Sequence, residues 1–146
     1  MNSTRLRQLI KKQCKVNSIG FLGIFGRDNI PLNVTDYPYC FIANTDISKS
    51  RGKHWVVFYF ESENHVDFFD SLGNHLSFYK FNLGSNLCID YNSHIQSSHS
   101  SVCGYYCVFY LMKKSQGKSF SSIIHSFSST NFDWNDYQIT QLFHSL

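Results

Sequence analysis

The spacing of apolar residues predicts a helix near each end of the chain. Leu6, Leu9 and Ile10 recur at helical spacing among basic residues, which predicts a helix over residues 3–14. Aromatic and aliphatic side chains recur in the same way near the other end and predict a helix over residues 133–146. Both segments are amphipathic, so each helix is expected to pack one face on a core.

The clearest helical pattern covers residues 103–114. From Cys103 onward, the core-type side chains fall at i, i+3, i+4, i+7 and i+8, which places them on one face of a helix. Ser100 or Ser101 is expected to cap the first turn, because a hydroxyl can accept a hydrogen bond from an unpaired backbone N–H group there. The pattern therefore predicts a helix that begins at a cysteine.

Runs of β-branched and aromatic residues predict the strands. Residues 54–60 have the strongest pattern and are apolar on both faces, as in a central strand covered by helices. A polar turn separates this run from a second strand that ends at Asp70, so the two are predicted to form a hairpin. Weaker patterns predict strands at residues 39–43 and 87–91 and a short helix at residues 75–81. These elements predict an α+β fold with helices on a mostly antiparallel sheet.

Gly20, Gly23 and Gly26 interrupt an apolar stretch between the first helix and the first predicted strand. A phosphate-binding loop needs a strand before such glycines and a helix after them. Here Asp28 and two prolines follow instead. We therefore predict irregular structure in this part of the chain and no nucleotide site.

The composition is that of one globular domain. The 146 residues are 42% hydrophobic and 16% charged and include 14 Phe and 9 Tyr, which suits one aromatic-rich core over residues 1–146. The sequence contains no run of about 18 apolar residues, and its first fifteen residues are polar and basic rather than apolar. We therefore expect a protein that is neither membrane-spanning nor secreted. Five cysteines, an odd number, favour free thiols in such a chain.

Basic residues are concentrated at the start of the chain. The formal net charge of +3 is too small to require a nucleic-acid partner by itself. Two interpretations of the basic segment stay open: an electrostatic contact with DNA, and a solvated helix face. The basic side chains in question are Arg5, Arg7, Lys11, Lys12 and Lys15.

Cys103 has the features of a nucleophile. It lies in the first turn of the clearest helix, where unpaired N–H groups and the helix dipole stabilise a thiolate. Gly104 beside it leaves room for a substrate carbonyl to approach. Cys107 lies one turn further along the apolar face, and we interpret it as a buried, inert thiol. The alternative for Cys103 is that it is only packed at the start of a helix.

A histidine and an acid occupy matched positions upstream of Cys103. His54 opens the central strand, and Asp70 ends its predicted hairpin partner. If the two strands pair antiparallel, these side chains fall at the same edge of the sheet, where a carboxylate can orient an imidazole. Asp67, on the same strand as Asp70, is expected to point to the opposite face and to solvent. The sequence thus predicts a His–Asp pair toward which the Cys103 helix must point.

Three segments in this order resemble the adenovirus maturation proteases, the adenain family. They are Gly52-Lys53-His54-Trp55, then Phe69-Asp70-Ser71-Leu72-Gly73, then Gln96 seven positions before Cys103-Gly104. The offset of seven is similar to that of adenain, whereas the related SUMO proteases have six. The resemblance covers about residues 1–145 and extends to relatives in Polinton transposons and virophages. It implies the permuted papain-like fold that adenain shares with SUMO proteases.

Carried over position by position, the resemblance makes His54 the general base, Asp70 its orienting acid and Cys103 the nucleophile. Gln96 becomes an oxyanion donor together with the Cys103 backbone N–H. Two features depart from the family: adenain has a Glu in place of Asp70, and this chain is shorter, mainly toward its C-terminus. The implied activity is a cysteine endopeptidase that cleaves viral or mobile-element proteins after small residues such as Gly.

The resemblance also implies accessory features. Adenain is stimulated by DNA and by a peptide that forms a disulfide with a cysteine in a Cys-Ile strand; Cys88-Ile89 is the similar place here, although it lies closer to Gln96. Trp55 and Gly104 are expected to line the substrate cleft. No cofactor is required, and no second Cys/His pair has zinc-like spacing. We expect a monomer with protein substrates, located in a virion or in the host nucleus or cytoplasm.

Two other functions stay open from the sequence. An isopeptidase acting on ubiquitin-like or SUMO-like proteins would share the catalytic residues and the fold. A DNA-binding or capsid-binding module that has lost peptidase activity is the second alternative. The complete set of four site residues argues against that loss, because a redundant site would be free to drift.

Overall fold

Five strands form a central sheet in the part of the chain that the structure describes. The structure is a computed structural model that describes residues 1–46 and 54–144. Gly52 and Lys53 of the first motif lie outside the described residues, as do residues 145 and 146 of the predicted last helix. The strands are Phe21–Phe25 (β1), Tyr39–Asn44 (β2), Trp55–Ser62 (β3), His65–Phe69 (β4) and Cys88–Tyr91 (β5), and the helices are Ser3–Gln13 (α1), Cys103–Ser115 (α2), Phe120–His125 (α3) and Phe132–Phe143 (α4), with 3-10 turns at Arg27–Asn29 and Leu76–Tyr79.

The sheet is mixed, with the strand order β1-β2-β3-β4-β5. β3 pairs antiparallel with β2 and β4, whereas β1 is parallel to β2 and β5 is parallel to β4. The prediction of a mostly antiparallel sheet is therefore wrong at both outer strands. A tight turn joins β3 to β4 and allows antiparallel pairing. Residues 26–38 and 70–87 are connections long enough for the crossover that a parallel pair needs.

β1 lies in the glycine-containing stretch for which we predicted irregular structure. Its pairing with β2 shifts register between Phe21 and Ile24. Gly23, inside this shift, has a φ of +133°, a backbone conformation that residues with a Cβ rarely adopt. A glycine-dependent bulge thus lets the segment join the sheet, and it also removes the regular alternation by which a strand is detected.

The sheet is buried on both faces, as predicted for β3. One face, which includes Val57 and Phe69, packs against a cluster supplied by all four helices. The other face carries an aromatic cluster that includes Phe41, Phe58 and Phe68 and is covered by the Leu76–Tyr79 turn and loops rather than by helices. Each fully buried Phe stabilises the fold by about 1.5–3 kcal/mol relative to an exposed one.

The predicted helices and the hairpin are confirmed, with small changes at their ends. The helix predicted at residues 75–81 is only the 3-10 turn Leu76–Tyr79, and α3 was not predicted because six residues are too few for a helical period to show. Within the described ranges, every helix is too short or too polar to cross a membrane.

Candidate active site

His54 and Asp70 meet at one edge of the sheet. Val57 pairs with Phe69 across the β3–β4 hairpin, so His54 just before β3 and Asp70 just after β4 come to the same end. The His54 Nε2 atom lies 2.6 Å from Oδ1 of Asp70, and the two side chains are 10% and 0% exposed. The structure therefore brings these two predicted site residues together in a buried hydrogen bond.

The carboxylate of Asp70 is held by three further donors. The Tyr79 hydroxyl donates to Oδ2 at 2.6 Å, and the backbone N–H groups of Leu72 and Asn74 donate to the two oxygens at 3.0 Å. Charge-assisted hydrogen bonds of this kind fix a carboxylate in one orientation. Tyr79 was not singled out from the sequence, because nothing in its local pattern signals a contact with an acid nine residues earlier.

Gly73 makes the tight turn that lets those donors face Asp70. Its φ is +75°, and a Cβ at this position would lie 2.5 Å from the backbone nitrogen of His94. The same turn brings Ser71 against the following segment, where its carbonyl accepts from the N–H groups of Ile95 and Gln96. The glycine of the second motif is thus needed for a close approach between two backbone segments.

Gln96 is buried beside this turn, with only 2% of its surface exposed. The Ser71 hydroxyl donates to Oε1 of Gln96, and Nε2 of Gln96 donates to the carbonyl and hydroxyl oxygens of Ser100 at 3.2 and 3.1 Å. These contacts fix the amide so that its N–H groups point toward the segment that leads into α2.

The predicted serine cap of α2 is wrong. Val102 is the N-cap residue, and it provides no side-chain hydrogen bond to the first turn. The Ser100 hydroxyl donates to Ser97 and accepts from Gln96 instead. Because no side chain caps the helix, the first N–H groups of α2, beginning with that of Cys103, keep their donor capacity for another group.

Cys103 and His54 form a hydrogen-bonded pair that favours charge separation. Burial raises the pKa of the Cys103 thiol. The hydrogen bond and charge of His54 and the backbone N–H of Trp55 lower this pKa by more than burial raises it, so the net pKa lies below its ordinary value. Burial lowers the pKa of His54, yet hydrogen bonds to Asp70 and Cys103 raise it, with a net pKa of about 9. Both shifts favour transfer of the thiol proton to the imidazole, which would give an imidazolium beside a thiolate.

Asp70 completes this charge arrangement. Burial raises the pKa of its carboxyl, but the hydrogen bond and charge of His54 and the donors Tyr79 and Leu72 hold the net pKa below its usual range. The carboxylate is consequently ionised near neutral pH. His54 is thus hydrogen-bonded to Asp70, and it is also the group that most lowers the pKa of Cys103.

Comparison with known proteins finds similar folds, although no family model and no curated protein matches the chain. The central domain of the uncharacterized Lpg1148 protein from Legionella pneumophila is 12% identical with a TM-score of 0.52, over 99% of this chain and 97% of that one. The ASFV pS273R protease is 22% identical with a TM-score of 0.41, over 62% of this chain and 39% of the protease chain. The match thus spans about two fifths of that protease. The Legionella domain shares the fold over nearly the whole chain.

The other cysteines are free thiols in different environments. Cys107 is buried, and burial raises its pKa well above the ordinary value, so it is an inert thiol as interpreted. Cys88 is exposed on β5, which pairs with β4 on one side. Cys88 is therefore accessible to reagents, whereas Cys107 is not.

Met1 lies at the two residues that we expected to line a substrate cleft. The Trp55 indole N–H donates to the Met1 carbonyl at 3.2 Å. A Cβ placed on Gly104 would lie 3.0 Å from the Met1 sulfur, so the Met1 side chain covers this glycine. The space above Gly104 is consequently bounded by a flexible thioether, a contact that no sequence pattern signals.

We expected Asp67 to face solvent, and this prediction is wrong: the residue is only 1% exposed. It accepts a hydrogen bond from the Tyr110 hydroxyl at 3.0 Å, and Nζ of Lys114 lies 3.8 Å from it. His65 lies between the carboxylates of Asp67 and Asp90, within 3.2 Å of both. The alternation correctly placed Asp67 on the face opposite to Asp70, but that face is covered by α2.

Proposed function

We propose that the protein is a cysteine endopeptidase. In this proposal Cys103 is the nucleophile, His54 the general acid and base, and Asp70 the residue that orients His54. The supporting observation is the buried chain of Asp70, His54 and Cys103, in which the thiol has a lowered pKa despite its burial. A cysteine that was only packed at a helix start would have a raised pKa, as Cys107 does.

The proposed reaction is acyl transfer through the Cys103 thiolate. The sulfur attacks the scissile carbonyl carbon, and the carbonyl oxygen becomes an oxyanion that accepts from the Cys103 backbone N–H. It also accepts from Nε2 of Gln96, which exchanges one of its hydrogen bonds to Ser100 for this one. The His54 imidazolium then protonates the leaving amine as the C–N bond breaks. His54, now neutral, takes a proton from water, which hydrolyses the thioester and regenerates the ion pair.

The resemblance to adenain supports a substrate class for this activity. We propose that the substrates are viral or mobile-element proteins cleaved after Gly or another small residue. An isopeptidase for ubiquitin-like proteins would use the same residues. Side-by-side kcat/KM values on short apolar-X-Gly peptides and on SUMO or ubiquitin conjugates separate the two, because a preference of about a hundredfold for the conjugates would favour the isopeptidase.

The same resemblance supports two accessory proposals. We propose that Cys88 can form a disulfide with an activating peptide, since its thiol is exposed on β5. The basic side chains of α1 are proposed to contact DNA; Arg5, Lys11 and Lys12 lie on its exposed or partly exposed surface. Added DNA or peptide should then raise turnover, with the DNA effect lost at high salt.

Labelling with a peptide that carries a thiol-reactive warhead tests the proposed function. The probe should have Gly as its last residue, and the labelled peptide should be mapped by mass spectrometry. We expect modification at Cys103, with Cys88 unlabelled at low probe concentration. Modification at Cys88 alone, or equal labelling after denaturation, would contradict the proposal.

Replacing Gln96 by alanine is expected to lower kcat by roughly 10²–10³ with little change in thiol alkylation. The donor acts on charge that develops only in the transition state, so the resting thiolate should be unaffected. Peptide turnover and iodoacetamide labelling measure the two effects. Gln138→Ala, at an exposed position of α4, is the matched control, and a Gln96→Ala enzyme with the kinetics of that control would remove Gln96 from the mechanism.

Asp70→Asn and Asp67→Asn are expected to separate catalysis from stability. Asp70→Asn should cost activity, but about a hundredfold less than loss of the nucleophile, because the orienting acid is the least demanding member of such a unit. Asp67→Asn should keep kcat and lower the free energy of unfolding by about 1–3 kcal/mol, through its buried bond to Tyr110. Turnover and urea denaturation test both; a greater loss of activity in Asp67→Asn would reverse the assignment.

A further inference from the structure

A cavity of about 440 Å³ opens beside His54, on the side of the Leu76–Tyr79 turn. This volume is in the range of sites that hold a side chain or a small ligand. His54, Leu72, Phe78 and Tyr79 contribute to its lining, and Arg27 and Lys80 add two cationic groups. The proposed chemistry uses His54 but leaves the cavity itself without a role.

The cavity lies beside the residue that protonates the leaving half of the substrate in the proposed reaction. Among the described residues, His54 lines the cavity and Cys103 does not. During acyl transfer, the acyl half of the substrate stays on the Cys103 sulfur, whereas the leaving amine takes its proton from His54. The first residues of the leaving chain therefore pass close to the imidazole, which also contributes to the wall of this cavity.

The lining combines an apolar surface with positive charge. Phe78 is 68% exposed, which is unusual for a large aromatic residue, and its ring packs edge-on against Tyr79. Arg27 is oriented by weak contacts of Nη1 with the carbonyls of Thr45 and Tyr79, each at 3.5 Å. Neither Arg27 nor Lys80 forms an ion pair with another described residue.

The carboxylate of Asp70, which bonds to the lining residues His54 and Tyr79, is already occupied. Asp70 accepts hydrogen bonds from His54, Tyr79 and two backbone N–H groups. Its charge is thus offset by His54 and not by Arg27 or Lys80. A side chain with an apolar stem and an anionic end complements both features of the lining.

We infer that this cavity binds the leaving side of the substrate and prefers a glutamate at one of the first two positions after the scissile bond. The inference rests on the proposed peptidase function and deepens it, since it assigns a specificity site to the residues released as the amine. The apolar walls contact the methylene groups of the glutamate, and its carboxylate faces Arg27 and Lys80. A lysine in the same place would meet two like charges.

A set of matched quenched peptides tests this inference. All carry the same acyl half ending in Gly and differ only in having Glu, Gln or Lys in the first two leaving-side positions. An acyl-Gly-aminocoumarin substrate, which has no leaving chain, reports on the peptidase activity alone. We expect the wild-type kcat/KM for the Glu peptide to exceed that for the Lys peptide by roughly tenfold at low salt, with a smaller ratio at high salt.

Charge reversal at the cavity provides the second arm. Lys80 is exposed, so Lys80→Glu should fold, and it should reduce the Glu-over-Lys ratio by roughly three- to tenfold. Arg27→Gln should act in the same direction. Lys118→Glu is the matched control, because this exposed lysine follows the C-terminus of α2, far from the Cys103 end. We expect the control to keep the wild-type ratio.

The outcomes distinguish a failure of the cavity assignment from a failure of the proposed peptidase function. Coumarin turnover with a wild-type Glu-over-Lys ratio within twofold of unity would overturn the cavity assignment and leave the peptidase function standing. A strong Glu preference that survives in both Lys80→Glu and Arg27→Gln would also overturn it, since the charge would then be recognised elsewhere. Absence of turnover on the coumarin substrate and on all peptides would overturn the proposed function and this inference together.

Discussion

Cys103→Ala is expected to abolish peptide turnover, with a loss of about 10⁴-fold or more in kcat. The variant lacks the atom that forms the acyl-enzyme, and the remaining groups cannot substitute for it. The thiol lies at the start of α2 and is 7% exposed, so removing one sulfur should leave the fold intact. Turnover of a Gly-containing peptide and the circular dichroism spectrum measure the two effects.

Cys88→Ala is the matched control for this variant. Its thiol is exposed on β5 and is not part of the chain from Asp70 to Cys103, so turnover without an activator should be unchanged. Wild-type turnover in Cys103→Ala would show that another group is the nucleophile. The same conclusion would follow if the affinity probe still labelled the Cys103→Ala variant.

His54→Ala is expected to be about as damaging as Cys103→Ala, because residues that act as one unit are not additive. The substitution removes the proton donor to the leaving amine. It also removes the hydrogen bond and the positive charge that lower the pKa of Cys103, so burial should raise that pKa. The double variant His54→Ala/Cys103→Ala should lose little more than either single variant.

His125→Ala serves as the histidine control. His125 is exposed in α3, where its ring contacts Ser121, and its removal should leave kcat unchanged. A His54→Ala enzyme that keeps the turnover of the His125→Ala enzyme would exclude His54 from the mechanism. Additive losses in the double variant would also contradict the proposed unit.

The positions of His54, Asp70 and Cys103 in the fold could be predicted because they depend on local patterns. Two runs of β-branched and aromatic residues around a polar turn predicted the β3–β4 hairpin, and the hairpin brings His54 and Asp70 to one edge. The apolar period of α2 placed Cys103 in the first helical turn. Gln96 was singled out only through the resemblance to adenain, and its amide lies against the segment that leads into α2. The inferences about His54, Asp70 and Cys103 used residues near in sequence or a regular period, which are the strongest signals that a sequence carries.

The features that were missed depend on contacts between distant segments. The covering of Asp67 is set by how α2 crosses the sheet, and the bond from Tyr79 to Asp70 requires the turn at Gly73. The parallel pairings of β1 and β5 are likewise tertiary outcomes. Ser100 or Ser101 was expected to cap α2, but Val102 is the N-cap residue, and the hydroxyl of Ser100 accepts from a buried glutamine instead. Propensity gives only a weak preference in such cases.

The rate of Cys103 alkylation as a function of pH tests the central claim most directly. The wild-type rate should follow a thiol pKa below the ordinary value, because the His54 imidazolium stabilises the thiolate, and the rate should change again near pH 9 as His54 loses its proton. In His54→Ala the low transition should disappear, and the thiol should react only at high pH. Identical profiles in the two proteins, each with the pKa of about 8.5 of a free cysteine, would contradict the account.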